Sequence, residues 1–155
     1  MKRYITAFVV VTMAFIFSAS VRAQKARAAS ADTLVAQQPL YNDFHGAKLG
    51  MTPDEVREKL GNPVLKDADM DYFVLSDILS AQVAYDANHK ARTISADYVN
   101  GAGAPDYRAV VGPEITTQAD GSLYKMVRYE SLGFWVSYSR TAGTVVVVTI
   151  TIQKL

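Results

Sequence analysis

Residues 49–63, LGMTPDEVREKLGNP, decide the local fold because they define one short helix with a signal at each end. Thr52 is a good N-cap residue, and Glu55, three positions later, completes a capping box. Gly61 can adopt the left-handed conformation that ends a helix, and Pro63 prevents the helix from continuing. The stretch therefore predicts a helix of about eight residues between Thr52 and Gly61.

The same stretch predicts that this helix packs on the rest of the protein. Pro53 occupies the first helical position, where its missing N–H is not needed. Met51 and Val56 occupy the two positions of a hydrophobic staple. A helix this short is not stable alone in water, so we expect it to dock through Val56 and Leu60. The predicted structural motif comprises Gly50, Met51, Thr52, Glu55, Val56, Leu60, Gly61 and Pro63.

The first 23 residues are typical of a secretory signal. Lys2 and Arg3 form a charged start, residues 5–17 are apolar, and residues 21–23 form a small-x-Ala cleavage site. The apolar stretch is shorter than the roughly 20 residues that a membrane-spanning helix requires. We therefore expect cleavage before Gln24, with no stable membrane anchor afterwards.

Charge and cysteine content restrict the partners and the compartment. The chain has 16 basic and 15 acidic residues; with three basic and no acidic residues in the signal, the remainder has 13 basic and 15 acidic, a net charge of −2. Near-neutral charge predicts no nucleic-acid partner. The absence of cysteine excludes disulfides, thiol catalysis, thiolate metal sites and a lipidated N-terminus. The expected localisation is periplasmic or secreted, and not lipidated.

The rest of the chain divides into a linker and two similar units. Residues 24–40 are rich in Ala, Ser and Gln, which predicts a flexible linker. Val-Ala-Tyr at 83–85 recurs 53 residues later as Val-Ser-Tyr at 136–138. Duplication predicts a first unit at 41–100 and a second at 101–155, whereas chance similarity between two meanders is the alternative. The predicted fold class is α+β, with two helix-plus-three-stranded antiparallel meander units and the helices packed on the sheets.

Hydrophobic alternation places the strands of these units. They are predicted at residues 71–75, 79–85, 91–99, 123–129, 134–138 and 144–152. The last strand raises a conflict. Alignment of the two copies puts Val148 and Ile150 on its outer face, together with Val146 and Ile152, whereas the hydrophobic pattern puts Thr149 and Thr151 there.

The quoted stretch also resembles the start of SmpA/OmlA (BamE)-like domains, whose signature is Gly-Met-Thr, a helix with a central Glu-Val, and Leu-Gly-x-Pro. A tandem pair of such units is similar to the β-lactamase-inhibitor protein architecture, which has two related copies. The resemblance implies a cell-envelope or secreted domain that works by protein contact, as an aid to outer-membrane assembly or maintenance or as an enzyme inhibitor. BamE proper has one unit and a lipidated cysteine. The absence of cysteine here favours a periplasmic or secreted binder.

No pattern of catalytic or metal-binding residues is evident. Residues 67–71, DADMD, have calcium-loop spacing, but Tyr72 and Ile78 stand where an EF-hand needs Gly and Glu. His45 and His89 have no partner at a diagnostic spacing. We therefore expect no catalytic, cofactor-binding or metal-binding residues. The rival is a small hydrolase or ligand-binding protein with a cleft between the units, and it would use Asp67, Asp69, Asp71, His45 or His89.

The aromatic residues provide the candidate protein-interaction site, which consists of Trp135, Tyr124 and Tyr129. Alternation over residues 134–138 places Trp135 on the face opposite Tyr138. Trp135 stands where the first copy has Gln82, and tryptophan is enriched at binding hot spots. Either a protein partner or another part of this chain covers Trp135. The predicted partner is an unidentified protein, either an envelope protein or an enzyme.

Overall fold

The computed structural model of the protein describes residues 38–155. The predicted signal at 1–23 and the predicted linker, except for residues 38–40, lie outside this described part. Within it, no helix is both long enough and apolar enough to cross a membrane.

The described chain forms two helices and eight strands. In chain order these are α1 (Pro53–Leu60), β1 (Leu65–Lys66), β2 (Met70–Ser76), β3 (Leu79–Tyr85), β4 (Ala91–Val99), α2 (Tyr107–Val111), β5 (Thr116–Thr117), β6 (Leu123–Tyr129), β7 (Phe134–Arg140) and β8 (Val147–Lys154). A single 3₁₀ turn, Glu130–Leu132, joins β6 to β7. All eight strands belong to one antiparallel sheet in the order β1-β2-β3-β4-β8-β7-β6-β5.

The predicted α+β fold of two helix-plus-meander units is wrong. Strands β4 and β8 pair directly, from Thr93 opposite Gln153 to Val99 opposite Val147, and this joins all the strands into one sheet. In the described part only α1 is longer than five residues among the α-helices, so the fold is dominated by the sheet. Pairing the last strands of the two meanders satisfies two rows of backbone N–H and C=O groups that separate sheets would leave unpaired.

The two halves nevertheless have the same order of elements. Each consists of a helix, a two-residue edge strand and three long strands, and matching strands lie equally far from the central β4–β8 pair. This order is consistent with a two-fold relation between the halves. The long strands were predicted within a few residues of their observed bounds, whereas the edge strands β1 and β5 were not predicted.

Strand β8 follows the hydrophobic pattern. Val148, Ile150 and Ile152 are buried, whereas Thr149 and Thr151 point to the other face. The alignment that placed these apolar residues outside is therefore wrong for this strand. A shift of one residue reverses every side chain of a strand, and burial of these aliphatic side chains decides between the two arrangements.

Helix α1 forms as predicted and packs on the sheet. The backbone N–H of Thr52 donates to Glu55 Oε2 (2.7 Å), and that of Glu55 donates to Thr52 Oγ1 (3.3 Å), which confirms the capping box. Val56 and Leu60 are buried, as predicted. Gly61 has φ 85° and ψ −160°. It therefore needs glycine for its positive φ, but it does not adopt the predicted left-handed helical conformation.

A single hydrophobic cluster lies between the sheet and the helices. It includes the buried residues of α1 and α2 and the inward residues of the long strands, among them Phe44, Val56, Phe73, Val83, Ile94, Val110, Val136 and Ile150. Both helices therefore cover the same face of the sheet, and the described residues leave the opposite face uncovered.

Candidate interaction surface

The uncovered face of the sheet, called the open face below, is formed by alternate residues of the six long strands. They are Met70, Tyr72 and Val74 of β2; Ser80, Gln82 and Ala84 of β3; Thr93, Ser95 and Asp97 of β4; Thr149, Thr151 and Gln153 of β8; Trp135, Ser137 and Ser139 of β7; and Tyr124, Met126 and Arg128 of β6. These residues form three rows across the sheet, because each is paired in register with its neighbours on the adjacent strands.

The centre of the open face is lined by short hydroxyl side chains on β3, β4, β7 and β8. Two cross-strand hydrogen bonds order them. Ser95 Oγ lies 2.9 Å from Thr151 Oγ1, and Thr149 Oγ1 donates to Asp97 Oδ1 (2.6 Å). The centre is therefore polar and shallow, because its side chains are short and bond partly to one another.

The margins of the open face carry larger and more apolar side chains. Tyr124 and Met126 lie at the β6 margin and are 44% and 41% exposed, while Val74, at the β2 margin, is 53% exposed. Met70 also lies at the β2 margin and accepts a hydrogen bond from the side chain of Gln82. The open face thus has a polar centre of short side chains and two margins with larger, more apolar side chains.

Trp135 lies on the open face beside the β6 margin. It pairs with Arg128 on β6 and with Gln153 on β8, and it is partly exposed. The predicted alternation of β7 is confirmed, since Tyr138 is buried on the opposite face. Gln82, the counterpart in the first copy, is exposed on the same open face. The described residues therefore leave part of the indole available to a partner.

The structure separates the two tyrosines that were grouped with Trp135. Tyr124 shares the open face, but Tyr129 is 5% exposed and its ring centroid lies 5.1 Å from that of Phe134. Including Tyr129 in the surface was therefore wrong. An odd spacing along one strand places residues on opposite faces. The same rule, applied to even spacings from Tyr124, would have found Met126 and Arg128, which the sequence analysis missed.

Asp71, the last residue of the stretch with calcium-loop spacing, is a completely buried residue of β2. Its carboxylate accepts hydrogen bonds from Arg57 Nε (2.9 Å), Arg57 Nη2 (3.0 Å) and the Tyr85 hydroxyl (2.9 Å). The hydrogen bond to Asp71 raises the pKa of Arg57. Burial, reinforced by the bond to Asp71, raises the pKa of Tyr85. This cluster ties α1 to β2 and β3 and has a structural role.

The other candidate chemical residues are not assembled into a site. His45 and His89 are exposed turn residues with φ of 50° and 51°. Asp67 is exposed, and its Oδ1 accepts a hydrogen bond from the adjacent backbone N–H of Ala68 (2.6 Å). Across residues 38–155, no three histidine or acidic side chains lie together as metal ligands would.

Comparison of the chain with protein-family models, with curated proteins and with solved structures finds no match. The resemblance to SmpA/OmlA-like domains therefore depends on the residues of the helix motif, and function is argued from the open face.

Proposed function

We propose that this protein is an exported, non-enzymatic module that binds another protein through its open face. One observation supports this proposal above the others. A solvated sheet face is normally polar, yet here Trp135, Tyr124, Met126 and Val74 border a polar centre. Large apolar side chains left partly exposed on one face mark protein-interaction surfaces, and aromatic residues and methionine are enriched at such interfaces.

The size of the open face suits a protein partner. Six strands extend about 24 Å across, and three rows extend about 14 Å along the strands. These spans give about 340 Å², which can form the central part of the roughly 800 Å² per partner of a standard interface. The shallow hydroxyl-lined centre allows the partner's backbone to approach closely and offers it donors and acceptors.

The charge of the open face favours protein over nucleic acid. Its charged residues are Asp97, which bonds to Thr149, and Arg128, which pairs with Glu130 at 3.5 Å. Phosphate binding requires several basic side chains that act together. The open face has one charge of each sign, so it lacks the cluster of basic side chains that phosphate binding requires.

The family resemblance suggests the kind of partner. An SmpA/OmlA-like role implies a cell-envelope protein, with this chain aiding outer-membrane assembly or maintenance. The second candidate is an enzyme inhibitor of the β-lactamase-inhibitor type. The β4–β8 pairing favours that candidate, because it merges two similar halves into one surface wide enough to cover an enzyme's active-site entrance. The same direct pairing disfavours a hydrolase with a cleft between two units.

Binding by matched variants tests the proposal. The chain from residue 24 onward, immobilised, is used to capture partners from a cell-envelope extract, and affinity is then measured with the purified partner. Trp135→Ala should weaken binding by at least about 2 kcal/mol. Leu40→Ala is the control, because Leu40 is 58% exposed and lies beside Gly112, away from the open face. It should change the affinity less than twofold.

Two further measurements separate a binding role from a structural one. The single tryptophan reports directly on its surroundings. A red-shifted, readily quenched emission that shifts to the blue with the partner supports the proposal. Unchanged affinity of Trp135→Ala, with a stability loss of about 3–5 kcal/mol, would contradict it. If the wild-type chain slows the hydrolysis of a β-lactam by a β-lactamase, and the Trp135→Ala variant slows it less, the inhibitor role is identified.

A further inference from the structure

A cleft of about 360 Å³ lies at the helix side of the sheet, distinct from the open face. It is bounded by the segment before α1, by the turn that leads into β7, and by the end of β8. Its volume is within the range of small-molecule sites, about 300–1,000 Å³. The cleft is thus large enough for a small ligand.

One wall of the cleft is apolar and is continuous with the core. Ile152 is 1% exposed, and Phe134 and Leu49 pack against the core cluster. The Phe134 ring is held against Tyr129. Leu132, which is 52% exposed, extends this wall towards solvent. The wall therefore offers a fixed hydrophobic surface to part of a ligand.

The charged residues that line the cleft are all basic. Lys48, Lys154 and Asn42 line it, and none of its lining residues is acidic. Lys154 Nζ donates to Asp86 Oδ2 (3.3 Å). This bond uses one of the three N–H donors of the Lys154 ammonium group. Lys48 forms no ion pair with any other residue in the described part of the chain. The cleft therefore presents unused cationic donors beside an apolar wall.

We propose that this cleft binds a small carboxylate with an apolar tail. The carboxylate lies between Lys48 and Lys154 and accepts a hydrogen bond from the Asn42 amide, while the tail covers Ile152 and Phe134. Charged hydrogen bonds of this kind are the strong ones, and they fix the orientation of the ligand. A neutral apolar ligand would cover the Lys48 ammonium group without pairing it, which is unfavourable.

Calorimetric titration with octanoate tests the proposal. One octanoate should bind per chain with a Kd of about 1 mM or lower. Octanamide, which has the same tail without the charge, should bind at least tenfold more weakly. Acetate, which has the charge without the tail, should show no binding up to about 10 mM. No heat from octanoate at that concentration, or equal binding of octanoate and octanamide, would overturn the proposal.

Variants locate the binding. Lys48→Met keeps the aliphatic stem and removes the charge, so it should weaken octanoate binding at least tenfold, and Leu132→Asp should abolish it. Lys66→Met is the matched control, because Lys66 is an exposed lysine on the edge strand β1. Wild-type affinity in Lys48→Met would overturn the proposal. Trp135→Ala should bind octanoate normally, so this proposal and that of the open face succeed or fail separately.

Discussion

Arg57 makes two ion pairs that differ in burial and in the number of hydrogen bonds, and this allows a test of what stabilises the fold. Its Nη1 donates to Asp54 (3.1 Å), whose side chain is 96% exposed. Its Nε and Nη2 donate to Asp71, whose side chain is 0% exposed. The matched perturbations are Asp71→Asn and Asp54→Asn, each of which removes one charge and almost no volume.

The expected losses follow from burial. Breaking a buried ion pair by changing one partner costs about 3–5 kcal/mol, because the other charge is left uncompensated. Asp71→Asn keeps one accepting oxygen, although its amide N–H₂ then faces a donor. The side chain of Arg57 is 17% exposed, so water can solvate part of the charge that is left unpaired. We therefore expect the lower end, about 3 kcal/mol. Asp54→Asn should cost less than about 1 kcal/mol, as exposed pairs do.

Urea denaturation at neutral pH measures both losses. A loss of about 3 kcal/mol is a large part of the 5–15 kcal/mol by which domains are stable, so the midpoint should fall clearly at an unchanged slope. Tyr85→Phe should fall between the two, at about 1–2 kcal/mol, since it removes one hydrogen bond to a charged group. If Asp71→Asn and Asp54→Asn had the same midpoint, the assigned role of the buried cluster would be refuted.

Three further predictions concern the core, alkaline pH and export. Leu60→Ala should lower the free energy of unfolding by about 2–5 kcal/mol in urea titrations, since Leu60 is buried in the core; an unchanged midpoint would remove α1 from the core. Burial raises the pKa values of Tyr41, Tyr85 and Tyr98, so these hydroxyls stay protonated in the folded state at pH values where they ionise in the unfolded state. Their contribution to stability is complete below about pH 10 and is lost progressively as the pH rises above it, so the urea midpoint should be constant up to about pH 10 and fall above it; a midpoint that stays constant above pH 10 would contradict this. The intact mass of the protein from its native host should correspond to a chain that starts near Gln24 without an acyl group, and retention of residue 1 would contradict the predicted cleavage.

Much of the local structure was predictable because its causes are local. The bounds of α1 follow from a cap, a proline and a glycine within a dozen residues, and each acts on the backbone beside it. The strands Leu79–Tyr85 and Ala91–Val99 were predicted at their observed bounds, since alternation of side chains is a property of each strand alone. The place of Trp135 opposite Tyr138 follows from the same rule.

The candidate surface was predictable only in part. Alternation relates residues within one strand, so it places Trp135 and Tyr138 correctly but does not identify which residues of β6 lie beside them. The neighbours of Trp135, Arg128 and Gln153, are set by the register between strands that are separate in sequence. The cleft with Lys48 and Lys154 brings together chain segments that lie about a hundred residues apart, and no local pattern signals it.

The sequence by itself determined the elements of this protein: the capped helix, the long strands and the inward or outward sense of most of their side chains. Tertiary structure alone decided that β4 pairs with β8, that Asp71 is buried against Arg57, and that one face of a continuous sheet is left open. The physical reason is the range of the interactions. Caps and alternation act over a few residues, whereas unpaired strand edges and a buried charge find their partners only when distant segments meet.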